Sequence, residues 1–185
     1  MTSRRDFLAG GAAALALILP APSFAAATDP AAAGDDGRHD FDFFHGVWDV
    51  HNRRLQQRHV GANAWVEFPA TLDCRPLLGG LGNIDEYRSA EVNGLTLRLF
   101  DPVQRQWSDR WASARDGQLG LPAHGRFVDG VGTFIGEDSD AGRRILSRAR
   151  WYDIGTDRFV WEQAASLDDG ASWETNWIMH ITRRR

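Results

Sequence analysis

The sequence predicts an all-β protein folded as a single antiparallel up-and-down barrel of about 8–10 strands. Short segments rich in aromatic and β-branched residues recur at intervals of roughly 8–12 residues, which is the spacing of strands in small all-β domains. Glycine-containing turn signals separate these segments, as at Asn93-Gly94 and Asp129-Gly130. No window shows an apolar period of 3.6 residues long enough to predict a helix.

Ten segments alternate between apolar and polar side chains and are bounded by turn residues. Pro69 interrupts the second one, and because proline cannot donate a hydrogen bond to a neighbouring strand, it predicts an edge or a bulge. An open edge there would also allow pairing with a second copy, so a homodimer is one expectation. The predicted strands are residues 47–57, 65–75, 83–89, 95–100, 106–114, 124–128, 132–137, 144–154, 158–167 and 173–183.

The N-terminus reads as an export signal rather than as part of the fold. Arg4-Arg5 stands before an apolar run at residues 12–19 and a small-residue site at 23–27, which is the order of a cleaved twin-arginine signal. The apolar run is shorter than the roughly 20 residues that a membrane span needs. We expect residues 1–27 to be the signal, read by the twin-arginine translocase, and the mature chain to be periplasmic or secreted. Residues 28–40 are expected to form a disordered linker, and residues 41–185 the barrel domain.

Composition excludes several classes of chemistry. The chain has a formal charge of −4 and all 21 of its basic residues are arginine, dispersed along the sequence, which argues against a nucleic-acid partner. The absence of lysine excludes Schiff-base catalysis. Cys74 is the single cysteine, so no disulfide forms within the chain. The six histidines show no metal-ligand spacing, and we expect neither a metal nor a cofactor.

Side-chain alternation divides the later strands into an aromatic and a charged face. The aromatic parity carries Trp107, Trp111, Trp151, Trp161, Trp173 and Trp177. The other parity carries Arg110, Arg148, Arg150, Glu162 and Glu174. We expect the tryptophans inside and the ion-pairing residues in solvent. The inverted arrangement, with an internal Arg/Glu network around a polar ligand, is the alternative.

The tryptophans exceed what packing alone requires and predict a cavity for a small apolar or aromatic ligand. Its predicted lining is Asn52, Arg54, Trp65, Glu67, Trp107, Asp109, Trp111, Trp151, Trp161, Gln163 and Trp177. A barrel enzyme of the hydratase, cyclase or isomerase kind is a second hypothesis, with Glu67 or Asp109 as the general acid or base. A purely structural or partner-binding barrel with a filled core is a third.

The opening Gly46-Val47-Trp48 resembles the start of the calycins, the lipocalin and fatty-acid-binding barrels. The resemblance implies a lipocalin-like barrel in which Trp48 closes one end. It also implies a basic residue at the close of the last strand that lies over the Trp48 ring, and Arg183 in the C-terminal run Ile181–Arg185 is of the right type.

Residues 41–185 as a whole resemble a family of exported bacterial lipocalin-like barrels of unknown function. The matching stretches include Phe43–Leu55, Leu97–Pro102 and Ser166–Glu174. This resemblance implies the fold and the export, but no activity.

A third resemblance, to the haem-binding nitrobindins, covers only Gly46-x-Trp48. Val50 and Asn52 stand where the glycines of that motif belong. A late histidine holds the haem in that family, and His180 is the matching candidate here. Its parity places it away from the tryptophan face, which makes haem the weaker alternative.

Overall fold

The computed structural model describes residues 36–185, and these form an all-β barrel with almost no helix. Ten antiparallel strands follow one another around it, each pairing with its neighbours in the chain, and β10 pairs with β1 to close the barrel. The strands are β1 Gly46–Leu55, β2 Trp65–Leu77, β3 Gly82–Ser89, β4 Asn93–Asp101, β5 Gln106–Ser113, β6 Ala123–Val128, β7 Val131–Asp140, β8 Arg143–Tyr152, β9 Arg158–Ser166 and β10 Glu174–Arg183.

The predicted fold class is confirmed, and every predicted strand is present with bounds that differ by no more than three residues. The closed, meandering topology is compatible with a lipocalin-like fold. The predicted signal, residues 1–27, and residues 28–35 of the predicted linker lie outside the described residues. No helix within residues 36–185 has the length and apolar character to cross a membrane.

Pro69 lies where β2 has a neighbour on one side only. It pairs with His51 of β1, while the pairing of β2 with β3 begins one residue later, at Ala70 and Ser89. The missing N–H therefore costs no ladder hydrogen bond. Pro76 occupies the opposite overhang, where β2 has run past β1 and pairs only with β3. Each proline thus marks a local edge in a barrel that is otherwise closed.

The segment before β1, residues 37–45, forms a plug that closes one end of the barrel. Residues 42–44 form a turn of 3₁₀ helix that brings Phe41 and Phe44 into the core, where both side chains are almost fully buried. Residues 37–40, at the end of the predicted disordered linker, form a bend and turns. The indole N–H of Trp107 donates a 2.8 Å hydrogen bond to the Gly37 carbonyl, which ties this segment to β5. Phenylalanine and tryptophan rings from the segment and from the barrel meet edge to face beneath it.

Trp48 is fully buried at this closed end and is fixed by the last strand. Its indole N–H donates to the Phe44 carbonyl at 2.8 Å. The Arg183 guanidinium carbon lies 4.0 Å from the centre of the Trp48 ring. The calycin-type arrangement of a tryptophan beneath a C-terminal arginine is therefore present.

The opposite end of the barrel is the mouth, and the strands there are less completely paired. Pairing between β5 and β6 covers only Trp107–Gly125, Ser108–His124 and Asp109–Ala123. Toward the mouth the two strands separate, and the loop of residues 114–122 fills the gap with a single bridge between Ala112 and Leu119. The barrel wall is thus weakest beside the mouth.

A β-bulge in β10 reverses the side-chain parity at its start. The register with β9 shifts between Thr175 and Trp177, so Asn176 is the inserted residue. Beyond the bulge Trp177 points inward, but before it Trp173 lies on the outer face under the guanidinium of Arg148, 4.5 Å away. The predictions for Trp173 as inward and Glu174 as outward are therefore wrong, because strict alternation holds only where no residue is inserted.

Candidate ligand cavity

A cavity of about 880 Å³ occupies the barrel between the aromatic plug and the mouth. Its floor is formed by Phe44 and Trp151, and its wall by residues from the inner faces of the strands. The volume lies within the range of small-molecule sites, and ten strands enclose more space than an eight-stranded barrel. This cavity argues against the alternative of a core filled throughout by side chains.

Three partly exposed tryptophans form the cavity wall, while Trp48, Trp107 and Trp151 are buried below them. Trp161 and Trp177 meet at right angles, with ring centres 5.8 Å apart. Trp111 lies across β4 because Gly94 has no side chain, and a Cβ at that position would overlap the indole ring. The wall is therefore apolar and aromatic, and the local sequence determines the positions of its rings.

Asn52 is buried behind the aromatic wall of the cavity and holds two of its neighbouring rings by hydrogen bonds. Its side chain is fully buried, its Oδ1 accepts hydrogen bonds from Tyr87 Oη and Trp177 Nε1, both at 2.9 Å, and its Nδ2 donates to the Phe68 carbonyl at 3.0 Å. Burial raises the pKa of Tyr87 to about 12, so its hydroxyl remains a donor at neutral pH. The network holds Trp177 in one orientation.

A buried charge cluster lies at the base of the cavity on neighbouring strands. The guanidinium of Arg98 pairs with Asp85 at 2.5 Å and with Asp109 at 2.9 Å, and it donates to Asn83 Oδ1 at 3.2 Å. The same guanidinium lies 5.1 Å from the ring centre of Phe44, above the plug. Asp85, Arg98 and Asp109 all line the cavity, so two carboxylates face it with one cation between them.

Burial changes the acid strength of these groups. Loss of water raises the pKa of Asp109, and the charge of Asp85 raises it further against the opposing effect of Arg98. Loss of water likewise raises the pKa of Asp85, again opposed by Arg98. Burial alone would lower the pKa of Arg98, but the two carboxylates outweigh it and hold the pKa above its ordinary value. The cluster can hold or release a proton at its carboxylates, and its cation stays charged.

Charged side chains also surround the mouth, and most of them are paired. Arg58 donates to Asp140 at 2.6 Å, and the backbone N–H of His59 donates to Glu174 Oε1 at 2.8 Å, which ties the β1–β2 loop to β7 and β10. Arg54, on the cavity wall, lies with its guanidinium carbon 4.7 Å from the ring centre of Trp177.

Seven of the eleven predicted lining residues contact the cavity, and four do not. Asn52 and Trp107 are buried, Asn52 behind the wall and Trp107 in the plugged end. Trp65 and Glu67 lie on the outer face, where Arg53 contacts both of them. The residues that line the cavity as predicted are Arg54, Asp109, Trp111, Trp151, Trp161, Gln163 and Trp177.

The placement of Glu67 corrects its assignment as an internal acid or base. Its side chain is 56% exposed and pairs with His51 at 3.2 Å and with Arg53 at 3.4 Å, outside the barrel. Since the barrel wall separates it from the cavity, it cannot transfer a proton there. Asp109 is the predicted acid that does face the cavity.

Asp85, Arg98 and Asn176 are among the polar residues of the cavity lining that sequence reasoning missed. On β4 the leucines at 95, 97 and 99 occupy the outer face and Arg98 the inner one, so the usual rule of apolar side chains inside gives the wrong face. The sequence did contain a signal for Asp85 and Arg98, because both are polar residues on the strands that precede Asp109. Asn176 had no such signal, because its position depends on the bulge.

His180 lies on the outer face, exposed and opposite His51, with ring centres 6.5 Å apart. It does not face the cavity, as its position on the strand predicted. Within residues 36–185 no group of three or more His, Cys, Asp or Glu side chains is placed to hold a metal. Cys74 is a buried free thiol, and burial raises its pKa to about 12.

Neither the models of known protein families nor the curated proteins include a match to this chain.

Proposed function

We propose that this chain is an exported lipocalin-like barrel that binds a small molecule with an apolar or aromatic body. The observation that carries the proposal is the cavity of about 880 Å³ with Trp111, Trp161 and Trp177 on its wall. Concave, mostly apolar sites with a few convergent polar groups are the usual form of small-molecule sites.

The tryptophan wall supports binding because its rings are held in place before the ligand enters. Trp177 is hydrogen-bonded to Asn52 and packs edge to face on both Trp161 and Tyr87. A wall that is already ordered loses little side-chain entropy on binding, so more of the contact energy appears as affinity.

Titration of intrinsic tryptophan fluorescence tests the proposal. We expect a panel of aromatic and fatty compounds to contain members that change the emission saturably, and Trp161→Leu to weaken their binding about tenfold or more, since a large ring contact is lost. Trp173→Leu is the matched control because Trp173 lies on the outer face over Arg148. An unchanged emission across the panel, together with purified protein that carries no small molecule by native mass spectrometry, would argue against the proposal. A Soret band would instead identify haem.

The proposed export rests on the sequence of residues 1–27. Replacing Arg4-Arg5 by two lysines should retain the protein in the cytoplasm if the twin-arginine translocase reads this signal. Cell fractionation with an antibody to the barrel measures this. Export that is unaffected by the double replacement would contradict the proposed route.

Acid–base catalysis by Asp109 is a second candidate function, favoured by the position of this carboxylate on the cavity lining. Its raised pKa, caused first by burial, suits a group that exchanges a proton with a bound substrate. Compounds that bind can be incubated with the protein and followed by mass spectrometry. Asp109→Asn should abolish any product formation, whereas Glu67→Gln, on the outer face, should leave it unchanged. Product formation that survives Asp109→Asn would remove Asp109 from the mechanism.

A further inference from the structure

Arg54 is a half-buried cation inside the cavity that has no carboxylate partner. Among residues 36–185 its guanidinium makes neither an ion pair nor a hydrogen bond, and its contact is the Trp177 ring at 4.7 Å. Two other arginines of the lining are paired, Arg58 with Asp140 and Arg144 with Glu137 and Asp169, whereas Arg115 is exposed to solvent. Buried or half-buried charges are normally paired, so the unpaired guanidinium of Arg54 indicates a site for an anion.

The surroundings of Arg54 reinforce this demand. Burial lowers its pKa below the ordinary value for arginine, and the nearby positive charges of Arg58 and Arg115 lower it further, with Tyr87 and Glu91 acting weakly in the other direction. The residue remains fully charged at neutral pH, because arginine does not deprotonate in proteins. An anionic group placed beside it would relieve both the lost solvation and the repulsion.

Asn176 provides a second, independent observation on the same part of the wall. Its side chain is 2% exposed and lines the cavity, and its amide Nδ2 has no hydrogen-bond acceptor among the described residues. It is the inserted residue of the β10 bulge and directly precedes Trp177, which pairs with Arg54 across β1 and β10. A buried amide N–H without an acceptor is destabilising, so it too indicates a missing acceptor. Bulges commonly re-aim a side chain toward a site.

Charge also decides which end of the cavity receives the anion. The floor holds two carboxylates, Asp85 and Asp109, around the single cation Arg98, and an additional negative charge there would be repelled. The wall near the mouth offers the free guanidinium and the free amide N–H instead. These charges favour an anionic ligand whose charged group lies toward the mouth and whose body lies toward the tryptophans and the floor.

We infer that the ligand of this cavity is an apolar or aromatic monocarboxylate, whose carboxylate is bound by Arg54 and Asn176. The inference rests on the proposed binding function and names its ligand class. The planar guanidinium matches both oxygens of a carboxylate, and the amide N–H supplies a further donor. The body of the ligand packs against Trp161, Trp177 and Trp111.

The test compares matched pairs of compounds that differ only in charge: 2-naphthylacetate and dodecanoate, each beside its neutral primary amide. Affinities for the purified full chain are measured by isothermal titration calorimetry at fixed ionic strength. We expect at least one acid to bind about tenfold or more tighter than its amide, since the charge-assisted hydrogen bonds are lost in the amide. Arg54→Met should bring the acid down to the affinity of the amide while amide binding persists, which shows that the variant is folded.

The matched control is Arg53→Met, one residue away on the outer face, where Arg53 lies 5.2 Å from the Trp65 ring. It should retain the full preference for the acid. Asn176→Asp, which sets a carboxylate in place of the amide, should weaken the acids and leave the amides bound.

The outcomes separate the inference from the proposed function. If acids and amides bind wild-type protein equally, and Arg54→Met changes neither, the cavity binds ligands but the carboxylate assignment is wrong. If none of the four compounds binds, the inference falls together with the proposed binding of small apolar bodies. A preference for acids that Arg53→Met removes to the same extent would also overturn it, since a surface charge would then suffice.

Discussion

Arg183 and Trp48 join the last and first strands, β10 and β1, at the closed end of the barrel. The guanidinium carbon lies 4.0 Å from the ring centre, while Nη1 and Nη2 donate to the carbonyls of His45 and Phe43 at 2.9 and 3.0 Å. One side chain of β10 therefore holds the indole of β1 and the segment that plugs the barrel. Because the plug carries the cavity floor, this contact determines where the cavity ends.

Arg183→Ala should lower the free energy of unfolding by about 2–4 kcal/mol. The loss combines the cation–π contact, roughly 0.5–2 kcal/mol, with hydrogen bonds to backbone carbonyls of about 1 kcal/mol each. Urea unfolding followed by tryptophan emission measures it. Arg184→Ala is the control, since Arg184 pairs with Asp49 on the exposed surface, and its loss should leave the free energy of unfolding nearly unchanged. Equal stability of the two variants would show that the Trp48 contact contributes nothing special.

The strands were predictable because their signals are local. Turn residues such as Asn93-Gly94 and Asp129-Gly130 mark where strands reverse, and alternation within β5, β8 and β9 identifies the inner face. The bulge at Asn176 was not predictable, because it depends on how β10 registers with β9. Because of this one inserted residue, the predicted faces of Trp173 and Glu174 were wrong.

Asn52→Leu should destabilise the protein by about 2–4 kcal/mol, although leucine is close to asparagine in size. The substitution leaves the buried Tyr87 hydroxyl and the Trp177 indole N–H without their shared acceptor, and each unsatisfied donor costs about 1–3 kcal/mol. Thermal unfolding by circular dichroism measures the change, and Thr182→Val, on the exposed face of β10, is the control. A variant that melts with wild-type protein would mean that the two donors find other partners.

The candidate site could be predicted only in part, because its polar groups follow no apolar pattern. Asp109 was found since it lies on the same face of β5 as Trp107 and Trp111. Arg98 was missed since the leucines around it face outward, and its partners Asp85 and Asp109 come from two other strands. Trp65 was wrongly predicted to line the cavity because its aromatic character was taken as a sign of the site. The buried side chains of Leu72 and Cys74 show that the even positions of β2 face inward, so Trp65 faces outward.

Arg98→Met should be the most damaging of the single substitutions, with a loss of about 3–5 kcal/mol, because it leaves two buried carboxylates without their cation. Urea unfolding at neutral pH measures the loss. Neutralising Asp85 and Asp109 to asparagine in the same chain should recover a large part of it. Arg88→Met removes an exposed pair with Glu86 and should cost no more than about 1 kcal/mol. Failure of the triple variant to recover any stability would locate the damage in packing rather than in charge.

The dependence of stability on pH should have opposite signs at Asp109 and Asp168. Burial raises the pKa of Asp109, so the folded protein retains a proton that the unfolded chain releases. Its contribution is therefore fully present below the ordinary aspartate pKa of about 4 and is lost as the pH rises through the raised value. The advantage of wild-type protein over Asp109→Asn should shrink as the pH rises above about 4.

Asp168 provides the contrast on the same protein. Hydrogen bonds from Ser172 and Ser166 lower its pKa to about 2. Its contribution is therefore present above the ordinary pKa of about 4 and is lost as the pH falls toward about 2, so the advantage over Asp168→Asn should shrink in acid. Urea midpoints of the three proteins between about pH 2 and pH 8 test both signs. Parallel profiles for the two variants would mean that the carboxylate at the cavity floor is as well solvated as one at the surface, and that Asp109 has no special readiness to exchange a proton with a ligand.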